Sequence, residues 1–429
     1  MDRFFGISHN GSTYRKEITA GFSTFLTMSF IVAVNPMFLA DAGIPFAAAF
    51  VATILATVLG TVIMGVWANW PVAVAPGMGL NAYFAYGLVM GQNFSWQQAL
   101  AAVFVASVLF LLFSLSRLRS WLIGAIPRDL QAGITAGIGL FLAMIGLQGM
   151  GLVADDPDTL LRLGVMSAPE LLLSLAGLMM MAGLAARGVR GGVLLTILGL
   201  SLIGWISGLA EFRGVLGSPP VASAAFQLDF SQLASFGFLS VVFVLFFLDF
   251  FDTTGTLTGI ATIAGKRKQD GSIDNLDRAI LADTSASVVG SLLGTSSMTT
   301  YLASATGIRD GGRTGLTALT VAALFLCCLF LEPLFASIPA FATAPALVFV
   351  AASFLAPLRD LDWEDMAVAM PVMLMAILMP LTFSIAAGIA IGFLAYVLIH
   401  LLAGRRHSIN AGTYVITGFG CLWMATPFI

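Results

Sequence analysis

Long apolar stretches recur from one end of this 429-residue chain to the other, with short polar or charged loops between them. A stretch of about 20 apolar residues is long enough to cross a bilayer as a helix. Charged residues make up only 10% of the chain, against roughly 25% in an ordinary soluble domain. The sequence therefore predicts an all-α membrane protein without a sizeable aqueous domain.

Fourteen membrane segments are predicted, and the distribution of Lys and Arg orients them, because cytoplasmic loops are rich in these residues. With the N-terminus inside, all 19 basic residues except Arg162 and Arg213 fall on the cytoplasmic side. We expect a multi-pass protein of the cell inner (plasma) membrane with both termini cytoplasmic. The tail after Arg406 is moderately apolar and either lies along the cytoplasmic interface or packs against the bundle. The predicted spans are 17–40, 47–68, 71–91, 97–116, 127–151, 168–186, 190–208, 236–264, 278–294, 295–308, 314–332, 341–357, 364–382 and 383–403.

The two halves of the chain contain seven segments each, an odd number. Related halves with an odd number of segments lie in opposite orientations, which is the inverted-repeat plan of many secondary transporters. Asn35-Pro36 in segment 1 is matched by the irregular run Asp252–Gly255 in segment 8, and segment 3 is matched by segment 10. The fold prediction is therefore a 7+7 inverted repeat.

Segments 3 and 10 are predicted to be broken, each with a short extended stretch and a half-helix. Pro76 disfavours helix at the residue before it, so 72–75 is expected to be extended and 77–89 to form a half-helix. Segment 10 is short and rich in Ser and Thr, which satisfy the backbone groups that a break exposes. Half-helices that meet at the midplane form a pocket with amide donors and positive dipole ends.

Asp252 lies deep within an otherwise apolar run, and intramembrane carboxylates usually contact a substrate, an ion or a proton. The alternative is a structural bond between helices. The same two readings stay open for Asp249, one turn earlier, and for Asn81, which is either a pocket residue or an interhelical amide. The hydroxyls of Thr299 and Thr300 are predicted to return to backbone carbonyls, at least in part.

Four motifs in order resemble the AzgA-like hypoxanthine/guanine/adenine permeases of the nucleobase–cation symporter (nucleobase–ascorbate transporter) group. They are Arg3–Ile7, Ala75–Ala82, Phe251–Thr256, and Gly294–Ser297 with Thr299–Tyr301. The resemblance covers nearly the whole chain. It implies a secondary active transporter that imports adenine, guanine or hypoxanthine by proton symport.

The resemblance also implies a core domain and a gate domain, with the base bound between segments 3, 8 and 10. The core domain comprises segments 1–4 (1–116) and 8–11 (236–333); the gate domain comprises segments 5–7 (117–235) and 12–14 with the tail (334–429). Desolvation favours the neutral form of a carboxyl, so Asp252 is also the expected proton carrier. We expect any homodimer to form through the gate domains, and we expect no cofactor, metal or nucleic-acid partner. The implied substrate contacts are Gly77, Met78, Gly79, Asn81, Asp252, Tyr301, Leu302, Ala303 and Ser304.

Ala303 departs from the family pattern, because the resemblance implies a glutamate at this position. That glutamate would accept hydrogen bonds from purine N–H groups and would take part in proton coupling. Losing a charged hydrogen bond costs roughly 1.5–3 kcal/mol. The sequence therefore predicts weaker purine binding or impaired transport with the fold retained.

Two other functions remain open from the sequence. One is an anion exchanger on the same fold, although an acid in the pocket would repel an anion. The other is a protein that binds its ligand without moving it, which the missing glutamate at Ala303 suggests. An enzyme is not expected, because the sequence shows no nucleophile–base pair and no metal-ligand spacing.

Overall fold

The computed structural model describes residues 2–116, 127–267 and 272–425. Arg117, Arg119 and Lys268, which the topology places on the cytoplasmic side, lie outside the described residues. The helices and strands, in order of the predicted segments, have the following bounds. Segment 1 is Tyr14–Met28 and Ile31–Asp41; segment 2 is Phe46–Ile63 and the π-helix Met64–Ala68; segment 3 is strand β1 (Val74–Pro76), helix Met78–Ala82 and π-helix Tyr83–Met90; segment 4 is Trp96–Leu115; segment 5 is Arg128–Gly149; segment 6 is Pro169–Ala186; segment 7 is Gly192–Ile206; segment 8 is Phe236–Ile263; segment 9 is Leu276–Leu293; segment 10 is strand β4 (Met298–Thr300) and helix Ser304–Arg309; segment 11 is Gly315–Cys327, the 3-10 helix Cys328–Leu331 and Glu332–Phe335; segment 12 is Ala340–Phe354 and the 3-10 helix Ala356–Asp360; segment 13 is Met366–Leu381; and segment 14 is Ile385–Leu402.

Three further helices lie outside these segments: Asp2–Phe5, the 3-10 helix Arg406–Ser408 and a C-terminal helix, Ala411–Ala425. Strands β2 (Val153–Asp156) and β3 (Leu160–Leu163) form an antiparallel hairpin between segments 5 and 6.

Within the described part of the chain, nine helical stretches are long and apolar enough to cross a membrane. They are segments 1, 2, 4, 5, 6, 8, 11, 12 and 14. Segments 7 and 13 are apolar but shorter, segment 9 is more polar, and segments 3 and 10 contain strands. All fourteen predicted segments therefore contain a helix or a strand. Hydropathy and length alone miss segments 3, 7, 9, 10 and 13.

The breaks in segments 3 and 10 meet as a two-stranded antiparallel sheet at the centre of the protein. Val74 pairs with Thr300, Ala75 with Thr299 and Pro76 with Met298, and all six residues are buried. The half-helix of segment 3 begins at Met78, one residue after the predicted start. The predicted extended stretches and half-helices are confirmed.

Neighbouring hydroxyl groups occupy the outer edges of this small sheet. The Thr61 hydroxyl, from segment 2, donates to the Val74 carbonyl and accepts from the Val74 N–H, both at 3.0 Å. The Ser287 hydroxyl, from segment 9, donates to the Met298 carbonyl at 2.8 Å and accepts from its N–H at 3.0 Å. Backbone groups at membrane depth must be satisfied within the protein, and these side chains do so.

The membrane helices pack into two groups. Segment 5 packs against segments 12 and 13, and segment 6 packs against segments 7 and 12. Segment 9 packs against segments 2 and 4, and segment 11 packs against segments 1 and 2. The C-terminal helix packs along segment 14, so the tail joins the bundle rather than lying along the interface.

Candidate functional site

Strand β4 and the residues before it present polar side chains alternately to two sides. Successive side chains of an extended strand point in opposite directions. Ser297 and Thr299 accordingly face segment 8, and Thr300 faces segment 9. Each of these hydroxyls donates to a carboxylate: Ser297 to Asp249 at 2.9 Å, Thr299 to Asp252 at 2.7 Å and Thr300 to Asp283 at 2.7 Å.

Asp252, the residue on which the functional prediction depends most, lies beside the crossing of the two broken segments. One oxygen of its carboxylate, Oδ2, accepts the hydrogen bond from Thr299. The side chain is half-buried, whereas Asp249 and Asp283 are buried. Asp252 is thus the carboxylate of these three that a ligand can reach.

Asn81 lies one turn into the half-helix of segment 3 and is completely buried. Its carbonyl oxygen accepts a short hydrogen bond from the Ser296 hydroxyl. Its side-chain nitrogen has no hydrogen-bond partner among the described residues. This arrangement orients the amide, since the oxygen is held by segment 10 and the NH₂ group keeps its donors available.

The other predicted contacts on segment 3 serve the crossing or the neighbouring helices. Gly77 donates its N–H to the Ser297 carbonyl at 3.0 Å, and Met78 is buried at the start of the half-helix. A Cβ atom on Gly79 would lie 2.4 Å from Cγ2 of Ile138 in segment 5. Glycine at this position therefore allows segment 3 to approach segment 5 closely.

The predicted contacts on segment 10 are of two kinds, those bonded to segment 3 and those that are exposed or half-buried. Tyr301 donates its hydroxyl to the Pro76 carbonyl at 3.1 Å, and Ser304 is buried and accepts the Ala73 N–H at 3.0 Å. Leu302 is 55% exposed, and Ala303 is half-buried. Tyr301 and Ser304 are thus engaged in holding segment 3, while Leu302 and Ala303 line open space.

Asp283, in segment 9, is a residue of this site that the sequence reasoning missed. Its carboxylate accepts from Thr253 at 2.5 Å and from Thr300 at 2.7 Å, so it ties segments 8, 9 and 10 together. A signal was present, because Ala282-Asp283-Thr284 places an acid within a predicted membrane segment, as at Asp252. Asp249 is also fixed to segment 10, through Ser297, which is the structural alternative left open for it.

One face of segment 8 lines a cavity shared with segment 5 in its first half and is exposed in its second half. Leu248 and Phe251 line a small apolar cavity together with Ile134 of segment 5. The following residues on the same face, Gly255 and Gly259, are exposed. A Cβ atom on either would meet no described atom within 4 Å. Open space therefore runs from Asp252 toward the predicted cytoplasmic end of segment 8.

The chemistry available here is that of neutral, hydrogen-bonding recognition. Asp252 offers a carboxylate acceptor, Asn81 offers amide donors, and the first turn of the segment 3 half-helix leaves N–H groups without helical partners. No cluster of three potential metal ligands occurs in 2–116, 127–267 or 272–425. A planar molecule with in-plane donors and acceptors fits this set.

Comparison with known proteins agrees with the geometry. Residues 15–391 match the Xan_ur_permease model, described as a permease family. The adenine permease AdeP of Escherichia coli is 38% identical over 417 residues, covering 97% of this chain and 94% of that protein. The guanine/hypoxanthine permease PbuO of Bacillus subtilis is 40% identical over 434 residues, covering 99% and 100%.

Solved structures show the same fold at low sequence identity. The transmembrane domain of the cyanobacterial bicarbonate transporter BicA matches with a TM-score of 0.65 and 18% identity, over 89% of this chain and 97% of that domain. SLC26A9 matches with a TM-score of 0.64 and 11% identity, over 90% of this chain and 65% of that protein. The predicted all-α membrane fold of seven plus seven segments is confirmed, and the likeness extends to the fold alone. The chain belongs to the Xan_ur_permease family, and the relatives that it resembles over nearly its whole length include adenine and guanine/hypoxanthine permeases.

Proposed function

We propose that this chain imports purine nucleobases together with protons. The observation that carries the proposal is the half-buried carboxylate of Asp252, held by Thr299 at the crossing of two broken segments. The buried Asn81 amide at the same crossing has a nitrogen without a partner among the described residues. The relatives named for adenine and for guanine and hypoxanthine support the substrate class. A purine is planar and uncharged, and its ring edge carries both N–H donors and nitrogen or oxygen acceptors.

In the proposed binding mode, Asp252 accepts from a ring or exocyclic N–H of the base. The Asn81 amide and the first N–H groups of the segment 3 half-helix donate to ring nitrogen or carbonyl oxygen. Leu302 and Ala303 provide apolar surface for the ring, as in most small-molecule pockets. Gly77, Met78, Gly79, Tyr301 and Ser304 complete the predicted contact set. The hydrogen bonds of Tyr301 and Ser304 to segment 3 support an additional role for them in fixing the pocket wall.

Asp252 is also the proposed proton carrier. Its carboxylate can take up a proton outside, carry it to the inside and release it there. One charge that crosses the membrane potential releases about 2.3 kcal/mol per 100 mV. That energy is sufficient for accumulation of a neutral base against a gradient of tens of fold.

The proposed movement is that of a core domain (1–116 and 236–333) against a gate domain (117–235 and 334–429). The two packing groups of helices support this division. The pocket belongs to the core group, and the exposed face of segment 8 supports a state whose pocket opens toward the predicted cytoplasmic side. We infer that the pocket moves with the core domain. Contacts between core and gate, such as that of Gly79 with Ile138, then break and form again during each transport cycle.

Uptake into proteoliposomes tests the proposal. Radiolabelled adenine, guanine and hypoxanthine are offered to the chain and to its Ala303→Glu form, with and without an inward proton gradient. Accumulation that disappears when a protonophore collapses the gradient is expected, with faster uptake by Ala303→Glu. If no base accumulates in either form, or if accumulation ignores the gradient, the proposal is wrong.

Uptake inhibition and calorimetry together distinguish the two rival functions. Inhibition of uptake by sulfate or bicarbonate, with none by unlabelled purines, would identify an anion exchanger. Calorimetric binding of a purine in detergent with silent proteoliposomes would identify a binding protein that does not transport.

A further inference from the structure

The C-terminal helix, Ala411–Ala425, has one buried face and one exposed apolar face. Its buried positions Thr413, Ile416 and Thr417 follow helical spacing. The opposite face exposes Tyr414, Val415 and Leu422, and the helix carries no charged residue. An exposed apolar face without charges is suited to lipid. We infer that the helix lies in the membrane beside the bundle.

The contact of this helix with segment 14 is close and reaches the backbone. The Thr417 hydroxyl lies 3.5 Å from the Phe393 carbonyl. A Cβ atom on Gly420 would lie 3.1 Å from both Cα and Cβ of Ala390. Because the later residue of the tail contacts the earlier residue of segment 14, the two helices are antiparallel. The tail thus runs back from the predicted cytoplasmic end toward the level of the pocket.

The contact of the same helix with segment 8 is of a different kind. The Phe419 ring lies against Phe243 with centroids 4.0 Å apart, and against Phe236 at 6.0 Å, with interplanar angles of 30° and 27°. Ile416 and Phe247 line the small cavity between segments 8 and 14. Its volume is about 20 Å³, room for about one water. The seam is therefore lined by apolar side chains and leaves only a small cavity.

These two contacts join helices that the proposed function moves relative to each other, because segment 14 belongs to the gate and segment 8 carries Asp252. The gate contact is a backbone-level approach of Gly420 to Ala390, which fixes a register; the Thr417 hydroxyl donates to the Thr413 carbonyl of its own helix at 2.7 Å. The core contact is made by aromatic rings and aliphatic carbon, which lack directional bonds.

We propose that the C-terminal helix is a strap: it moves with the gate, and segment 8 slides against it. The proposal rests on the proposed transport function and adds that the Phe419–Phe243 contact changes in every cycle, whereas the Gly420–Ala390 contact persists. The strap also closes the side of the core–gate seam nearest the Asp252-bearing helix against lipid.

Matched pairs of cysteines test the strap. In a background with Cys327→Ser, Cys328→Ala and Cys421→Ala, one variant carries Phe243→Cys with Phe419→Cys and the other carries Ala390→Cys with Gly420→Cys. A short bis-maleimide links each pair, and uptake of labelled adenine, guanine and hypoxanthine is measured before and after linking. Each single-cysteine variant treated with the same reagent is the control for simple modification.

We expect linking of the 243–419 pair to reduce initial uptake at least tenfold, and linking of the 390–420 pair to change it by less than twofold. Both measurements are repeated in the Ala303→Glu form. Uptake that survives the 243–419 link, equal loss from both links, or failure of the 243–419 pair to link would overturn the strap. If the unlinked variants take up no base although both pairs link efficiently, the result would instead count against the transport function on which the strap rests.

Discussion

Thr61 and Ser287 make the same pair of hydrogen bonds on opposite strands of the central sheet. Each hydroxyl donates to a carbonyl and accepts from the N–H of one residue, Val74 for Thr61 and Met298 for Ser287. Thr61 lies in the segment before broken segment 3, and Ser287 lies in the segment before broken segment 10. The two halves therefore solve the same backbone problem in the same way, as expected of inverted repeats.

Removing either hydroxyl should destabilise the crossing. Thr61→Val and Ser287→Ala each leave one buried N–H and one buried carbonyl without their partner, and an unsatisfied buried group costs about 1–3 kcal/mol. We expect a clearly lower melting temperature in detergent for both variants, and near-native melting for Thr61→Ser. Ser353→Ala is the matched control, because that exposed hydroxyl only returns to the Val350 carbonyl. Melting of Thr61→Val at the control's temperature would show that the sheet edge needs no hydroxyl.

The segments were predictable because hydrophobic length and basic loops are properties of the sequence alone. The break in segment 3 was predictable as well, since Pro76 and its glycines disfavour continuous helix. The register of β1 against β4 was not. The two strands lie more than two hundred positions apart in the chain. Their edges are satisfied by the hydroxyls of Thr61 and Ser287, and a Thr within a membrane helix more often bonds the backbone of its own helix.

The main polar residues of the site were predictable, but their hydrogen-bond partners were not. Asp252 and Asn81 stood out as polar residues in apolar or broken segments, and the structure brings both to the crossing. The partners Ser296, Ser297 and Asp283 were missed. Ser296 and Ser297 were overlooked among the many hydroxyls of segment 10. Asp283 could have been found, because it is an acid within a predicted membrane segment, as Asp252 is.

Asp283 is predicted to be structural through its two hydroxyl partners. Asp283→Ala leaves the hydroxyls of Thr253 and Thr300 without their acceptor at a site with no water-exposed surface. We expect the free energy of unfolding to fall by about 2–4 kcal/mol, from the cost of unsatisfied buried groups. Asp283→Asn keeps one acceptor oxygen and should lose less. Thermal melting of the two variants measures the difference, and equal melting of Ala and Asn forms would contradict this account.

Asp252 is predicted to be needed for ligand affinity more than for stability. Asp252→Asn replaces a charged acceptor, and a charged hydrogen bond contributes roughly 1.5–3 kcal/mol, or about 10- to 150-fold in Kd. Calorimetric titration with hypoxanthine measures the loss. Thr299→Val, which removes the hydroxyl that orients Asp252, should weaken binding less. Asp155→Asn removes a charge from the exposed hairpin and is the control; an unchanged Kd for Asp252→Asn would remove this residue from the pocket.

Arg190 and Asp310 are predicted to bias the equilibrium between states while adding little stability. Their 2.5 Å ion pair joins the start of segment 7 to the turn after segment 10, with side chains 50% and 15% exposed. Exposed pairs contribute about 0–1 kcal/mol, enough to shift a two-state population up to about fivefold. In Asp310→Ala, we expect slower thiol labelling of Gly259→Cys, which lies on the open face of segment 8.

The reverse pair, Arg190→Asp with Asp310→Arg, should restore the labelling rate. The control is Asp365→Ala, which breaks the pair between Asp365 and Arg405. That pair links residues next to segments 13 and 14, within one packing group, so labelling should not change. Equal slowing in both alanine variants would show that the effect is not specific to the contact between the groups.

Restoring a carboxylate at position 303 should tighten purine binding. Ala303 is half-buried next to exposed Leu302, so a longer side chain can extend from this position. A glutamate there adds a charged acceptor for a purine N–H, for which about 1.5–3 kcal/mol is typical. We expect the Kd for hypoxanthine to fall at least tenfold in Ala303→Glu and to change by less than twofold in Ala303→Gln. Tightening of the same size in the Gln form would mean that charge is not the cause, and no tightening in the Glu form would show that the chain binds its base without this contact.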